Sequence, residues 1–139
     1  MSYLKTVSEL RAVAAIVNPD GTFDHGKKVD FSQNFDKPFP AIFLYPFEIR
    51  DPEDSFLDTS TLTLGFWMQD RPDTSVYERE TIIGQMDLLC TAFMTQLKTN
   101  NLISVTGVVR EPQYQFHQAT VSGFAVRFQY QNFTPCVDP

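Results

Sequence analysis

The chain predicts an α+β fold: one domain with a mostly antiparallel mixed β-sheet and two main helices packed on one of its faces. Three observations lead there. Residues 2 to 17 and 75 to 98 carry apolar side chains at helical spacing, whereas 61 to 70 and 121 to 133 alternate apolar with polar, the period of a half-buried strand. The strand-like segments come in consecutive pairs instead of alternating singly with helices, which favours antiparallel neighbours over βαβ crossovers. Aromatic residues make up 14% of the chain, with 13 Phe and 5 Tyr, and such side chains suit the pleated surface of a sheet. A length of 139 residues is enough to bury one core without disulfides or metal.

The first helix places Tyr3, Val7, Leu10, Ala14 and Val17 on one face. "NPDG" at 18 to 21 ends it, because Pro19 lacks a donor and Gly21 permits positive φ. Residues 22 to 40, "TFDHGKKVDFSQNFDKPFP", set the turn residues Asp24, His25 and Gly26 between short segments ending at Phe23 and Val29, and read as a small hairpin or an extended arm. The run "AIFLYPFEI" at 41 to 49 is short enough for a strand buried on both faces, with Pro46 implying a sheet edge or a bulge.

An acidic, solvated loop follows at 50 to 60. In "TLTLGFWMQD", Leu62, Leu64, Phe66 and Met68 then oppose Thr61, Thr63, Gly65 and Trp67, and Gly65 marks a bulge or a close backbone approach. The second helix opens with Ser75 three residues before Glu78, the spacing of a capping box. Its apolar stripe is Ile82, Met86, Leu89, Cys90, Phe93 and Leu97, Lys98 complements the dipole in the last turn, and Asn100 and Asn101 end it. A β-rich segment at 102 to 109 leads through a loop at Pro112 into "VSGFAVRFQYQNF". There Phe124, Val126, Phe128 and Tyr130 face a core beneath the second helix, while Ala125, Arg127, Gln129 and Gln131 face the other way, and 134 to 139 form a tail.

Composition narrows the function. With 11 Lys and Arg against 17 Asp and Glu the net charge is -6, and the pI near 4.7 argues against adhesion to phosphate backbones. Cys90 in an apolar helical run and Cys136 in the tail read as a buried thiol and a tail thiol. No signal peptide or membrane-spanning run is predicted, since Glu9 and Arg11 interrupt the first apolar pattern.

Chemical signatures are sparse. The 6 glycines form no phosphate-binding loop, and His25 and His117 have no Cys or His at metal spacing. Asp51, Glu53, Asp54 and Asp58 lack the alternation and glycine of a calcium loop. Asp70, Asp73, Glu78 and Glu80 gather where the helix dipole stabilises negative charge. No serine sits in a nucleophile elbow, and Cys90 is placed as inert packing. Trp67 and the aromatics near Phe66 suit a core, an interface or the lining of a pocket.

The order of elements, with "PFPAIFLYP", "GFWMQDRPD", "YERETIIGQMDLLCTAF" and "QYQFHQATVSGFAVRFQYQNF", resembles the tail terminator (tail completion) proteins and related neck ring proteins of tailed bacteriophages over about residues 1 to 133. The resemblance implies a structural virion subunit without enzymatic activity or cofactor, assembled in the host cytoplasm as a homo-oligomeric, hexameric ring. Such a ring caps the tail tube, meets the head connector and neck proteins, and lets DNA through without specific binding and without a membrane. Ring assembly needs two different complementary surfaces. Lys27 and Lys28 on the 22 to 40 segment, and Arg127, Gln129 and Gln131, are the candidates for subunit contact; Asp51, Glu53, Asp54 and Asp58 are candidates for an acidic loop or a channel-facing surface. The rival readings are a dodecameric head-proximal adaptor or stopper ring, and a small α+β enzyme or ligand-binding domain with a pocket on its aromatic sheet.

Overall fold

A computed structural model describes residues 3–27, 38–48, 59–70, 74–115 and 121–132. Its elements run α1 (Tyr3–Val17), β1 (Thr22–His25), β2 (Ala41–Leu44), β3 (Thr59–Gln69), α2 (Val76–Leu97), β4 (Ile103–Gln115) and β5 (Val121–Asn132). The five strands form one sheet in the order β1-β2-β3-β5-β4. All pairs are antiparallel except β1 with β2, which run parallel. Residues of both helices join one core against one face of the sheet, as the α+β reading expects.

Helix α1 buries Thr6, Val7, Leu10 and Ala14, the face drawn by the apolar spacing, and Tyr3 stacks on Phe47 at its rim, centroids 4.9 Å apart. The helix stops before Pro19 as expected. Gly21 is needed for a different reason from positive φ: a Cβ there would collide with the Pro40 carbonyl. Its bareness lets the chain pass close enough for the Thr22 N–H to donate to that same oxygen at 3.1 Å.

Residues 22–25 form neither a hairpin nor a free arm. They are β1, paired with β2 from Thr22↔Ala41 to His25↔Leu44, and Gly26 at φ 140° ends the strand. Residues 28–37 of that segment, Lys28 included, lie outside the described residues. Strand β2 is buried at all four positions, as a strand covered on both faces should be. It ends before Pro46, so the proline marks a strand end and not a bulge, although the Tyr45 N–H still donates to the Thr63 carbonyl at 3.0 Å.

Strands β3 and β5 form the centre. Leu62, Leu64 and Phe66 of β3 and Val126, Phe128 and Tyr130 of β5 are buried under the helices, each large side chain contributing roughly 1.5–3 kcal/mol. Phe66 meets Phe93 of α2 edge to face, centroids 5.5 Å apart. The hydroxyl of Ser75 accepts the Glu78 N–H at 3.1 Å and caps α2. Ile83 and Met94 are buried along with Met86, Cys90, Phe93 and Leu97, whereas Ile82 and Leu89 are only partly covered. The buried arc is wider than the expected stripe because α2 packs on the sheet and on α1 together. Lys98 is the C-cap residue and not part of the last turn. Burial pushes the Cys90 thiol up to about 12, consistent with inert packing.

The loop expected at Pro112 is strand. Strand β4 runs through it, with Pro112 opposite Phe124, because β4 is an edge strand and an edge tolerates a residue without an N–H. At the other end of β5, the Tyr130 hydroxyl and the Asn132 side-chain amide both donate to the Glu9 carboxylate at 2.6 Å. Burial, and then the Glu9 charge, raise the Tyr130 pKa, so the phenol stays a neutral donor that fastens α1 to the sheet.

Candidate functional site

Helices cover one face of the sheet; the residues of opposite parity on β2 to β5 form the second face. Register sets them in rows. Ala41, Trp67, Gly123 and Gln113 make one row, Phe43, Gly65, Ala125 and Glu111 the next, and Thr63, Arg127 and Val109 a third. Tyr45 continues β2 beside Thr63. The middle row has the small residues Gly65 and Ala125 at its two central positions, and the Trp67 indole lies across Gly65, where a Cβ would collide with it. Gly65 is therefore a close approach and not a bulge.

This arrangement leaves a cavity of about 370 Å³ lined by Tyr45, Thr63, Trp67, Val109, Glu111, Gln113, Ala125, Val126 and Arg127. Trp67 is fully buried, in a small second cluster with Ala41, Phe43 and Val121, against which Phe39 and Tyr45 pack. Phe43 and Tyr45 meet edge to face at 5.1 Å. Burial raises the Tyr45 pKa and a hydrogen bond with the Trp67 side chain partly offsets the rise, which leaves a neutral phenol at the cavity wall.

Three residues reach this face only because β4 is bulged. Between Thr106↔Gln129 and Val109↔Arg127 the register slips by one residue, and Gly107 takes φ +62°, the left-handed conformation of a bulge glycine. Before the slip Ile103 and Val105 pack toward the helices. After it Val109, Glu111 and Gln113 join the open face, and Arg110 takes the helix side, where it pairs with Asp87 and covers the Phe124 ring at 5.6 Å.

Arg127, Gln129 and Gln131 share the open face, but their roles differ. Gln129 is held by Thr61, its amide donating to Oγ1 at 2.9 Å, and Gln131 is half-buried opposite Thr59 and Ser104. Only Arg127 borders the cavity. Arg127 and Glu111 are not partners in the Arg79–Asp70 or Arg110–Asp87 ion pairs and stand on its rim as a cation and an anion. Lys27 is exposed beyond the end of β1; Lys28, Asp51, Glu53, Asp54 and Asp58 lie outside the described residues.

The acidic group at the start of α2 splits in the same way. Asp70 is buried, and its Oδ2 accepts from Arg79 Nε at 2.8 Å and from Ser122 Oγ at 2.5 Å. Burial acts to raise its pKa, yet the hydrogen bonds from Arg79, Ser122 and Thr74 and the guanidinium charge outweigh it and hold the carboxyl below its usual value. Asp70 is thus a structural clamp between β3, α2 and β5. Glu78 and Glu80 are exposed.

Among the described residues no three His, Cys, Asp or Glu side chains gather as a metal site, and no helix is long and apolar enough to cross a membrane. Among the described residues, the cavity face offers aromatic walls, a small-residue floor, one guanidinium and one carboxylate. Sequence reasoning found Arg127 and pointed to Trp67, but missed Tyr45, Val109, Glu111 and Gln113. The glycine inside "VTGVV" was the one local sign of the bulge that brings three of them in. No family model matches the chain, and no curated protein matches it.

Proposed function

We propose that the chain is a structural subunit of a tailed-phage neck, a tail terminator that assembles as a hexameric ring, ends growth of the tail tube and offers a new surface to the head connector. The observation that carries this reading is the asymmetry of the sheet: helices on one face, and on the other a small buried cluster about Trp67 beside a cavity rimmed by Arg127 and Glu111, neither of them a partner in the Arg79–Asp70 or Arg110–Asp87 ion pairs. A subunit in a ring needs two unlike surfaces that complement each other, and the helix side and the cavity side of this sheet are unlike. The resemblance in element order and the acidic balance of the chain support the same reading, because like charge keeps passing DNA from adhering to the wall of a channel.

The mechanism is geometric. The ring occupies the last position of the tube and its far side no longer accepts a tube subunit. The test is the mass of the purified full chain with negative-stain images, followed by addition to growing tail tubes. Six-fold rings that halt tube extension are expected. Twelve-fold rings would move the protein to the adaptor or stopper layer, and a compact monomer at every concentration would turn the cavity into a small-ligand pocket and sink the ring reading.

A further inference from the structure

The most exposed large apolar residues among those described include two neighbours in the first turn of α2, Val76 at 71% and Tyr77 at 79% exposure. Two contacts hold this turn in place. The Ser75 cap fixes the start of the helix, and Arg79 ties the same turn to Asp70 at the end of β3. Glu80 stands four residues after Val76 and three after Tyr77, so its exposed carboxylate flanks both on the helix surface. Aromatic ring, β-branched side chain and carboxylate make one protruding knob.

The cavity on the open face offers matching chemistry. Trp67, Tyr45, Val109 and Ala125 supply apolar and aromatic walls, and Arg127 stands at the rim. We propose that this cavity receives the first turn of α2 from a second copy of the chain, with Tyr77 entering against Val109 and Ala125, above the buried Trp67, and Glu80 pairing with Arg127. The Tyr77 hydroxyl then donates to the Glu111 carboxylate, the other charged group of the rim. Tyr77 lies on the helix side of the sheet, beside Met68 and Ile82, so no chain can fill its own cavity this way. The contact joins unlike surfaces of successive copies. Burying one tyrosine removes roughly 150–250 Å² from water, and the aromatic and arginine anchors are the kind that dominate binding energy.

The inference deepens the ring reading and rests on it for closure, since head-to-tail contacts give a ring only if the rotation closes. Sedimentation velocity on the full chain across a dilution series tests it, alongside Tyr77→Ala, Arg127→Glu and Glu80→Arg, all at exposed positions and each verified as folded by circular dichroism. Each single change is expected to weaken association by about tenfold or more. Mixing Arg127→Glu with Glu80→Arg restores association, because the Glu at 127 of one variant meets the Arg at 80 of the other, and the remaining contacts are wild-type pairs. If wild-type rings form and neither Tyr77→Ala nor the charge reversals weaken them, this contact is wrong while the ring reading stands. If the variants and the mixture behave as expected but the wild type forms open chains, the contact stands and the ring reading fails. A wild type that is monomeric throughout overturns both.

Discussion

The two faces of β5 differ in what they are for, although they alternate residue by residue. Val126, Phe128 and Tyr130 are buried in the core beneath the helices, where the Tyr130 hydroxyl donates to the Glu9 carboxylate. Ala125 and Arg127, one position away in each case, border a cavity and stand outside the ion-pair set of the described residues. From residue 125 onward, parity on β5 thus separates residues packed under the helices from residues that border the cavity or solvent. A substitution on the first face should act through stability, whereas one on the second should act through association with little change in unfolding.

The largest expected effect is on the covered face. Phe128 is 1% exposed and packs within the main core, so Phe128→Ala removes a large side chain and leaves a void. A loss of about 3–5 kcal/mol is expected in urea unfolding, and any fall in association should track the unfolded fraction. Retention of wild-type stability would show that the two faces are not divided as described.

Next in size is Asp70→Asn, which breaks the clamp at the edge between the two faces. About 2–3 kcal/mol is expected near neutral pH, because Arg79 and Ser122 lose a charged acceptor in a buried site. The sign with pH follows from the lowered pKa of Asp70. The contribution is fully present above the unfolded value of about 3.9, and it is lost as pH falls through the lower folded value. The gap between wild type and Asp70→Asn should therefore narrow as unfolding is measured toward pH 2 or below. A gap that widens in acid would contradict the clamp.

Much of the covered face was legible in the sequence, because period alone assigns parity. The alternation in 61 to 70 and 121 to 133 placed Leu62, Leu64, Phe66, Val126, Phe128 and Tyr130 together, and the structure keeps them so. The helical spacing did the same for Val7, Leu10 and Ala14. Strand β1 escaped notice because four residues carry too little pattern, and its parallel partner β2 lies across a long connection. Pro112 misled because a proline reads as a break unless the strand is known to be an edge. The open site was the least legible part. Its walls come from Trp67, Glu111 and Arg127 on three strands and from Tyr45 just past a fourth, and only register, which no local pattern specifies, brings them together.

The smallest effect sought on stability is also the one that bears most directly on that register. Gly107 holds φ +62° with only the Gln129 side chain near a Cβ, at an ordinary 3.7 Å, so Gly107→Ala is opposed by backbone strain and not by crowding. About 1–2 kcal/mol is expected, with Gly107→Asn costing less, since asparagine visits the left-handed region more readily. The strain favours loss of the extra residue from the bulge. Were it lost, Val109 and Glu111 would turn toward the helices, and Arg110 would leave Asp87 and Phe124 for the open face. Trp67 is the sole tryptophan and lines the cavity, so its emission reports on that rearrangement directly. A shifted Trp67 spectrum with weakened association in Gly107→Ala, and neither in Gly107→Asn, would tie the open face to the bulge. An alanine variant with wild-type stability and spectrum would mean that Val109, Glu111 and Gln113 reach the cavity by some route other than the bulge.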